Sequence, residues 1–307
     1  MALFSLKSVH AKLTKNETQR EALAAYLFIL PTLLGFLVFI IGPIIAAVFL
    51  SFSSYDLLTA PRFNGVENYF RLFSDPRLKT VYWNTIFLTI LAVLGNNVAG
   101  LTLAVLINQK LSAPLRYFLR TAYFFPVLIA LAYCAIIWQF MFQKDTGLIN
   151  YYLGLLGIAP LHWLGNNSLV KPAVIILDVW KNCGFDMIIY LAGLQSIPHE
   201  FYEAAAIDGA SRWQIFRRIT LPLVSPSIFF LVVINMIGAL QMFDSVVVLT
   251  AGGPGDASRT LVMFIYEQAF QNFRMGYASA VALTLFAVIM GLTLLQFRLS
   301  QNWVHYE

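Results

Sequence analysis

The polar residues with chemical potential in this chain stand in apolar surroundings that penalise them. Asn235, Gln241 and Asp244 fall in or at the end of one apolar run, and Asp178, Lys181, Asn182 and Asp186 fall in another. Polar groups at membrane depth are costly and face a protein interior or a wet path, so they are functional candidates by default. Gln241 and Asp244 are three apart and share a helix face, with Phe243 beside them. Asn235 precedes Gln241 by a helical rotation of about 600° and sits on another flank. Hydrogen-bonding side chains next to an aromatic surface suit a polyhydroxylated ring. Asn182, Asn235, Gln241, Phe243 and Asp244 are therefore the candidate solute path. The same amides and carboxylate could instead lock a partner subunit in place. Asp178 and Lys181, three apart, read as a structural ion pair. Asn96 and Asn97, following Gly95, read as hydrogen-bonding glue between helices.

Bond-breaking chemistry has no comparable foothold. The four histidines, His10, His162, His199 and His305, are scattered through tails and loops, with neither an HExxH pair nor a catalytic triad. No Gly-Lys dipeptide occurs, so the chain lacks a phosphate-cradling loop of the GxxxxGK[ST] type. Cys134 and Cys183 lie in or beside apolar runs and suggest no disulfide framework or metal site. Taken alone, the chain is not expected to be an enzyme or to hold a cofactor or metal.

The elements that must position the polar residues follow from composition. Of 307 residues, 59% are apolar and 11% charged, with a mean hydropathy of +0.73. Soluble domains carry about 25% charged residues, so a water-facing surface is excluded. Six apolar runs predict transmembrane helices near 22–52, 82–107, 121–142, 172–194, 227–249 and 277–297, each long enough for a hydrocarbon core of about 30 Å. The fold class is all-α, with a segment 1–21 before the membrane domain 22–300 and a tail 301–307. The first run is too long for a cleaved signal and reads as an anchor, interrupted by Pro31 and Gly42-Pro43. Six spans put both termini on one side. With that side cytoplasmic, Lys7, Lys12, Lys15, Arg20, Lys110, Arg116, Arg120, Arg212, Arg217, Arg218 and Arg298 lie inside, the majority of the 20 basic residues and the ones closest to span ends. The net charge of +5 thus reflects membrane topology, and no nucleic-acid partner is expected.

The segment 195–226, between spans four and five, carries the most pattern. Ser196 is expected to cap a helix that tolerates Pro198 in its first turn and draws on Glu200 and Glu203 near its positive end. After Asp208, Gly209 permits a left-handed exit, Ser211 caps a second helix, and Pro222 is expected to stop it. Phe201, Trp213, Phe216 and Ile219 recur at helical spacing and offer apolar contact area.

Glu203-Ala204-Ala205, then Gly209, Ile219 and Leu221-Pro222, at these spacings, resemble the signature of the inner-membrane permease subunits of binding-protein-dependent ABC importers. A second stretch, Phe243-Asp244 through Gly252-Gly253-Pro254 with Thr260-Leu261, is similar to the carbohydrate permeases of that family, the maltose and glycerol-phosphate types. Asn68-Tyr69 and Asn84-Thr85 fit the same subgroup, and the resemblance extends over about residues 20–300. It implies the type I importer permease fold, with a coupling helix between helices four and five. Glu203, Ala204, Ala205, Asp208, Gly209, Ile219, Leu221 and Pro222 would belong to the loop that docks the ATPase.

The implied partners are an ATP-binding-cassette ATPase dimer that holds ATP and Mg2+, a second homologous permease and an extracytoplasmic solute-binding protein. The implied cargo is a sugar or polyol-type solute, carried across a prokaryotic plasma membrane by alternating access. The main rival is an ion-gradient-driven secondary transporter, which would show related halves with broken helices in matching places. No internal repeat supports it. The lack of a basic cluster at membrane depth favours a neutral solute.

Overall fold

The computed structural model describes residues 20–304 of the chain. Of the expected N-terminal segment 1–21, residues 1–19 lie outside the described residues, as do 305–307 of the expected tail 301–307. The architecture is helical apart from one two-stranded antiparallel ribbon, β1 (Ser53–Ser54) with β2 (Arg62–Phe63), in the register Ser53 opposite Phe63.

The apolar runs form the long helices α1 (Arg20–Ser51), α3 (Pro76–Ile107) and α13 (Met275–Ser300). Each is long and apolar enough to cross a membrane. The interruption expected in α1 is a π turn at Leu37–Ile41, where the Gly42 N–H reaches Leu37 O, and not a break. The turn sits directly before Pro43, which has no N–H to give. Between α1 and α3 lies the short α2 (Glu67–Ser74), and α3 begins where the Asp75 carboxylate accepts from the Arg77 N–H with Pro76 at the first helical position. The helix therefore starts earlier than the apolar run that predicted it.

Two expected spans are broken. The third consists of α4 (Ala113–Leu128) and α5 (Leu131–Met141), bent by 102° at Ile129–Ala130. A short α6 (Leu148–Leu155) follows. The fifth consists of α10 (Ser225–Leu240) and α11 (Asp244–Thr250), separated at Gln241–Phe243. Counting α4 with α5, and the bent pair that joins α10 to the helix before it, as single crossings gives up to five spans by length and composition. The remaining long helix, α7 (Val170–Ser196), is not among these, although at ~1.5 Å per residue its length of about 40 Å would reach across a hydrocarbon core. It is too charged to face lipid, carrying Asp178, Lys181 and Asp186 within a few turns, and it is buried among its neighbours.

Close backbone approach holds α7 at the centre. A Cβ on Gly100 of α3 would lie 2.5 Å from the Asp186 Cβ and 3.1 Å from the Met187 N, and one on Gly184 would strike the Tyr123 carbonyl of α4. Such small-residue contacts are the usual basis of helix packing in a membrane, where burial of apolar surface supplies no force. Tyr190 donates to Asn97 Oδ1 at 2.5 Å, so both asparagines of the Gly-Asn-Asn run do bridge α3 and α7. Leu88, Ala92, Trp138, Phe142, Leu177 and Val246 fill one core, and Ile107, Met187, Tyr190 and Leu231 another nearer the other end of α7. The second half of α1 lies on α13, while none of its most apolar stretch is buried within this chain.

Residues 197–224 form an elbow between α7 and α10. It comprises α8 (His199–Ile207) and α9 (Arg212–Leu223), the latter with a π turn at Phe216–Thr220. Two local expectations fail here. Ser196 does not cap α8; its hydroxyl donates to Gly193 O at 2.9 Å within α7. A residue before proline is driven to extended geometry, which Ile197 adopts (φ −70°, ψ 123°), so α8 begins beyond Pro198 and Ser196 stays behind the turn. Nor does Pro222 end α9. The π turn, closed by Leu221 N to Phe216 O, precedes it, and the chain instead bends by 64° at Val224 into α10. After the Gly-Gly-Pro turn that follows α11, α12 runs from Leu261–Tyr266 through a π turn at Glu267–Gln271.

Candidate functional site

The two helix breaks, α7 and the middle of α3 meet at one cavity of about 340 Å³. Asn96 reaches it from α3, Val127 and Leu131 from either side of the α4–α5 break, and Asp178, Asn182, Phe185 and Asp186 from α7. Asn235 comes from α10, and Gln241, Phe243 and Asp244 come from the α10–α11 break and the residue after it. The five residues of the expected solute path, Asn182, Asn235, Gln241, Phe243 and Asp244, thus all line the same space. The break between Gln241 and Asp244 alters how they get there, since they are not neighbours on one continuous helix face.

Non-helical backbone at membrane depth survives only where other groups satisfy it. Thr260 Oγ1 donates to Met242 O at 2.8 Å, and Gln139 Nε2 donates to Val248 O at 2.6 Å. At the α4–α5 break the same service comes from Lys181, whose Nζ donates to Val127 O at 2.8 Å. This overturns the expected Asp178–Lys181 ion pair: among the described residues no ion pair joins them. A carbonyl orphaned at the end of α4 attracts the cation more directly than a carboxylate on Lys181's own helix.

Asp178 is held instead by amides. Asn96 Nδ2 donates to its Oδ2 at 2.9 Å and Asn182 Nδ2 to its Oδ1 at 3.1 Å. Asn96 therefore acts both between helices and at the cavity. About two turns further along α7, Asn235 Nδ2 donates to Asp186 Oδ2 at 2.6 Å across α10 and α7. Two buried acceptors, Asp186 Oδ1 and Asn96 Oδ1, have no partner, and Gln241 and Asp244 have no side-chain hydrogen bond among the described residues. Asp178, Asp186, Asn96 and Phe185 were not expected at this site. Asp178, Asn182 and Asp186 follow at i, i+4 and i+8, one stripe of α7, and that spacing is the signal that finds them.

The elbow presents a second surface. Gly209 has φ +72°, and the Ala210 N–H turns back to Ala205 O at 2.9 Å, closing α8 as a left-handed cap does. Ser211 and Gln214 form a capping box on α9, with Ser211 N to Gln214 Oε1 at 2.7 Å and Gln214 N to Ser211 Oγ at 3.3 Å. Glu203, Ala204, Asp208 and Gly209 are exposed, Ala205 is buried, and Ile219, Leu221 and Pro222 are half-buried at the root of the elbow. Ile207 and Trp213, 86% and 66% exposed, flank the bend with apolar surface this chain leaves uncovered. Of these, Ile207 was not anticipated, because it falls outside the Phe201, Trp213, Phe216 and Ile219 series. A groove of about 400 Å³ between α8 and α9 is floored by Ala205, Gly209 and Ile219 and edged by Asp208 and Arg218.

At the opposite end of α3, Arg77 pairs with Asp256 at 2.9 Å, Arg259 pairs with Asp256 and with Glu267 at 3.0 Å, and Asn84 Nδ2 donates to Asp256 O at 2.6 Å. These contacts clamp the loop that follows the Gly-Gly-Pro turn onto the start of α3. Among the described residues no three metal-ligating side chains come together.

The chain matches the family described as "Binding-protein-dependent transport system inner membrane component" over residues 96–304. It is 34% identical over 298 residues to the trehalose/maltose transport system permease protein MalF of Thermococcus litoralis, covering 94% of this chain and 97% of that one. It is 34% identical over 284 residues to the sulfoquinovosyl glycerol transport system permease protein SmoG of Agrobacterium fabrum, covering 92% of both. Among solved structures, a bacterial ABC transporter involved in the import of the acidic polysaccharide alginate superposes with a TM-score of 0.81 at 28% identity, over 95% of this chain and 99% of that one. An alginate ABC transporter in complex with an alginate pentasaccharide-bound periplasmic protein gives a TM-score of 0.82 at 28% identity, over 94% and 96%. With its helices, its elbow and most of its length accounted for in this way, the chain belongs to the inner membrane components of binding-protein-dependent transport systems.

Proposed function

We propose that this chain is one of two transmembrane subunits of an ATP-driven importer that carries a sugar or sugar-like solute across a prokaryotic plasma membrane. The observation that carries this is the convergence of both helix breaks and of α7's polar stripe on one cavity, directly linked to the exposed elbow. The relatives with named cargo, trehalose/maltose and sulfoquinovosyl glycerol, support a glycosidic solute. In this account α7 is the fourth of six spans, the elbow and both termini are cytoplasmic, and the Arg77–Asp256 clamp faces outward. A separate ATPase dimer binds ATP and Mg2+, and a second homologous permease completes the path. A solute-binding protein delivers cargo from outside, as the periplasmic protein on the alginate transporter suggests.

The coupling follows from connectivity. α7 enters the elbow and α10 leaves it, so the two helices that carry Asp178, Asn182, Asp186 and Asn235 are moved by one lever. The capping box, the Gly209 closure and the half-buried Ile219 and Leu221 make α8 and α9 a stiff unit. ATPase closure against Glu203, Asp208 and the apolar Ile207 and Trp213 would shift both helices together and reorient the cavity between the two faces, a rigid-body switch. Hydrolysis would reverse it.

The test uses Glu203→Lys and Gly209→Pro in the assembled transporter, read by solute-stimulated ATPase activity. Coupling free energies of about 1–3 kcal/mol correspond to about 5–150-fold, so a drop of at least about 5-fold is expected with the spans still folded. Unchanged stimulation in both variants contradicts the role of the elbow.

A further inference from the structure

A cavity of about 230 Å³ lies at the root of the elbow, where α9 meets the ends of α3 and α7. Its polar lining can donate throughout: the Arg212 guanidinium, the Asn108 amide and the hydroxyls of Tyr202 and Thr220. Arg212 makes no ion pair and no side-chain hydrogen bond among the described residues, and the Asn108 amide makes none either. The Tyr202 and Thr220 oxygens stand 3.3 Å apart, a long bond for two hydroxyls that leaves both able to turn to another partner. No carboxylate lines this space. An unopposed guanidinium with neutral donors beside it is the chemistry of an anion site. Val105, Leu194 and Phe216 close the other side, so the space is amphipathic. Its surroundings carry no compensating charge from α3 or α4, because no acidic residue occurs between Asp75 and Asp145, and Lys110 follows Asn108 on the turn between the two helices. None of the side chains proposed to meet the ATPase lines it.

We propose that this cavity binds an anionic phosphate group through Arg212, with Asn108, Tyr202 and Thr220 completing its hydrogen bonds. The inference rests on the elbow being cytoplasmic, as proposed above. Arginine meets phosphate oxygens with parallel N–H donors, and its charge here has no other use within the chain. α3 ends at Ile107 and α7 at Ser196, so the cavity stands at the level of the inner headgroups, where anionic lipids concentrate. The phosphate therefore comes from an anionic phospholipid of the inner leaflet or from a soluble phosphate in the cytoplasm. From either source it ties α9 to the ends of α3 and α7 and braces the lever at its root.

The experiment follows thermal unfolding of the purified transporter in phosphatidylcholine mixed micelles, titrated in one arm with phosphatidylglycerol and in the other with inorganic phosphate. A ligand of the folded state raises Tm with its concentration, which yields an apparent affinity. Wild type is compared with Arg212→Gln and with Arg217→Gln. Arg217 is exposed on α9 and does not line the cavity, so its variant removes the same charge from a different face. The expected result is stabilisation by at least one of the two probes, with an apparent affinity that falls at least about tenfold in Arg212→Gln and less than about twofold in Arg217→Gln. Arg212 dependence with phosphatidylglycerol identifies the lipid as the source, and with inorganic phosphate alone it identifies a soluble one. Equal loss in the two variants means diffuse attraction to a basic surface and overturns the inference, as does the lack of any Arg212-dependent stabilisation by either probe. Purification without an ATPase contradicts the importer reading instead, a separate outcome that the Tm titration does not depend on.

Discussion

The Asn235–Asp186 hydrogen bond offers a quantitative check on the way α7 and α10 are joined. At 2.6 Å it is the only partner of the Asp186 carboxylate among the described residues, because Oδ1 has none and the residue is fully buried. Hydrogen bonds to charged groups are worth about 1.5–3 kcal/mol in soluble proteins. Double-mutant cycles between membrane helices average only about 0.6 kcal/mol and reach about 1.7, because the unfolded state in the membrane also finds partners. A short bond to a carboxylate with no alternative donor belongs at the upper end, so a coupling of about 1.5 kcal/mol is expected by the same scale. The assay is a cycle of Asn235→Ala, Asp186→Ala and the double variant, with unfolding followed in mixed detergent micelles. Asn235→Ala alone should destabilise more than the double variant does relative to Asp186→Ala, since it strands a buried carboxylate. Additivity within about 0.5 kcal/mol would mean the two groups do not interact and would refute the reasoning.

Gly184→Val should fail to assemble or lose most of its thermal stability, because a Cβ at that position strikes the backbone carbonyl of Tyr123 and forces α4 off α7; fluorescence-detected size exclusion reads it, and a wild-type profile would contradict the packing. Lys181→Met retains the side-chain stem but leaves Val127 O unpaired at the α4–α5 break. A loss of about 1–3 kcal/mol in the same unfolding assay is expected, and no loss would mean that the break is held by other contacts.

Hydropathy made the helical membrane class, the long helices α1, α3 and α13 and the elbow's helix-turn-helix readable from the sequence, because lipid solvation and local caps act within a few residues of chain. The two helix breaks were not readable. Ile129–Ala130 and Gln241–Phe243 contain neither glycine nor proline, and Pro126, only a few residues away, sits inside α4. Their carbonyls are stabilised by Lys181 and Thr260, residues distant in sequence, so the break is a tertiary property. The Asp178–Lys181 expectation failed for the same reason: opposite charges three apart satisfy a local rule, and the competing acceptor lay on another helix. Asp178, Asn182 and Asp186 were visible as an i, i+4, i+8 stripe, but pairing Asp178 with Lys181 hid it. The likeness of 203–222 to the permease signature coincides with the elbow, whereas Ser196 and Pro222 depart from their single-residue preferences because Pro198 imposes extended geometry on Ile197 and a π turn precedes Pro222.

The most direct measurement of the central claim is purification of this chain in mild detergent through an affinity tag, with mass spectrometry of what accompanies it. The account predicts an ATP-binding-cassette ATPase and a second multi-span permease in the same complex, both lost when the exposed face of the elbow is disrupted. Recovery of this chain alone, reconstituted and moving solute down an ion gradient without nucleotide, would contradict it.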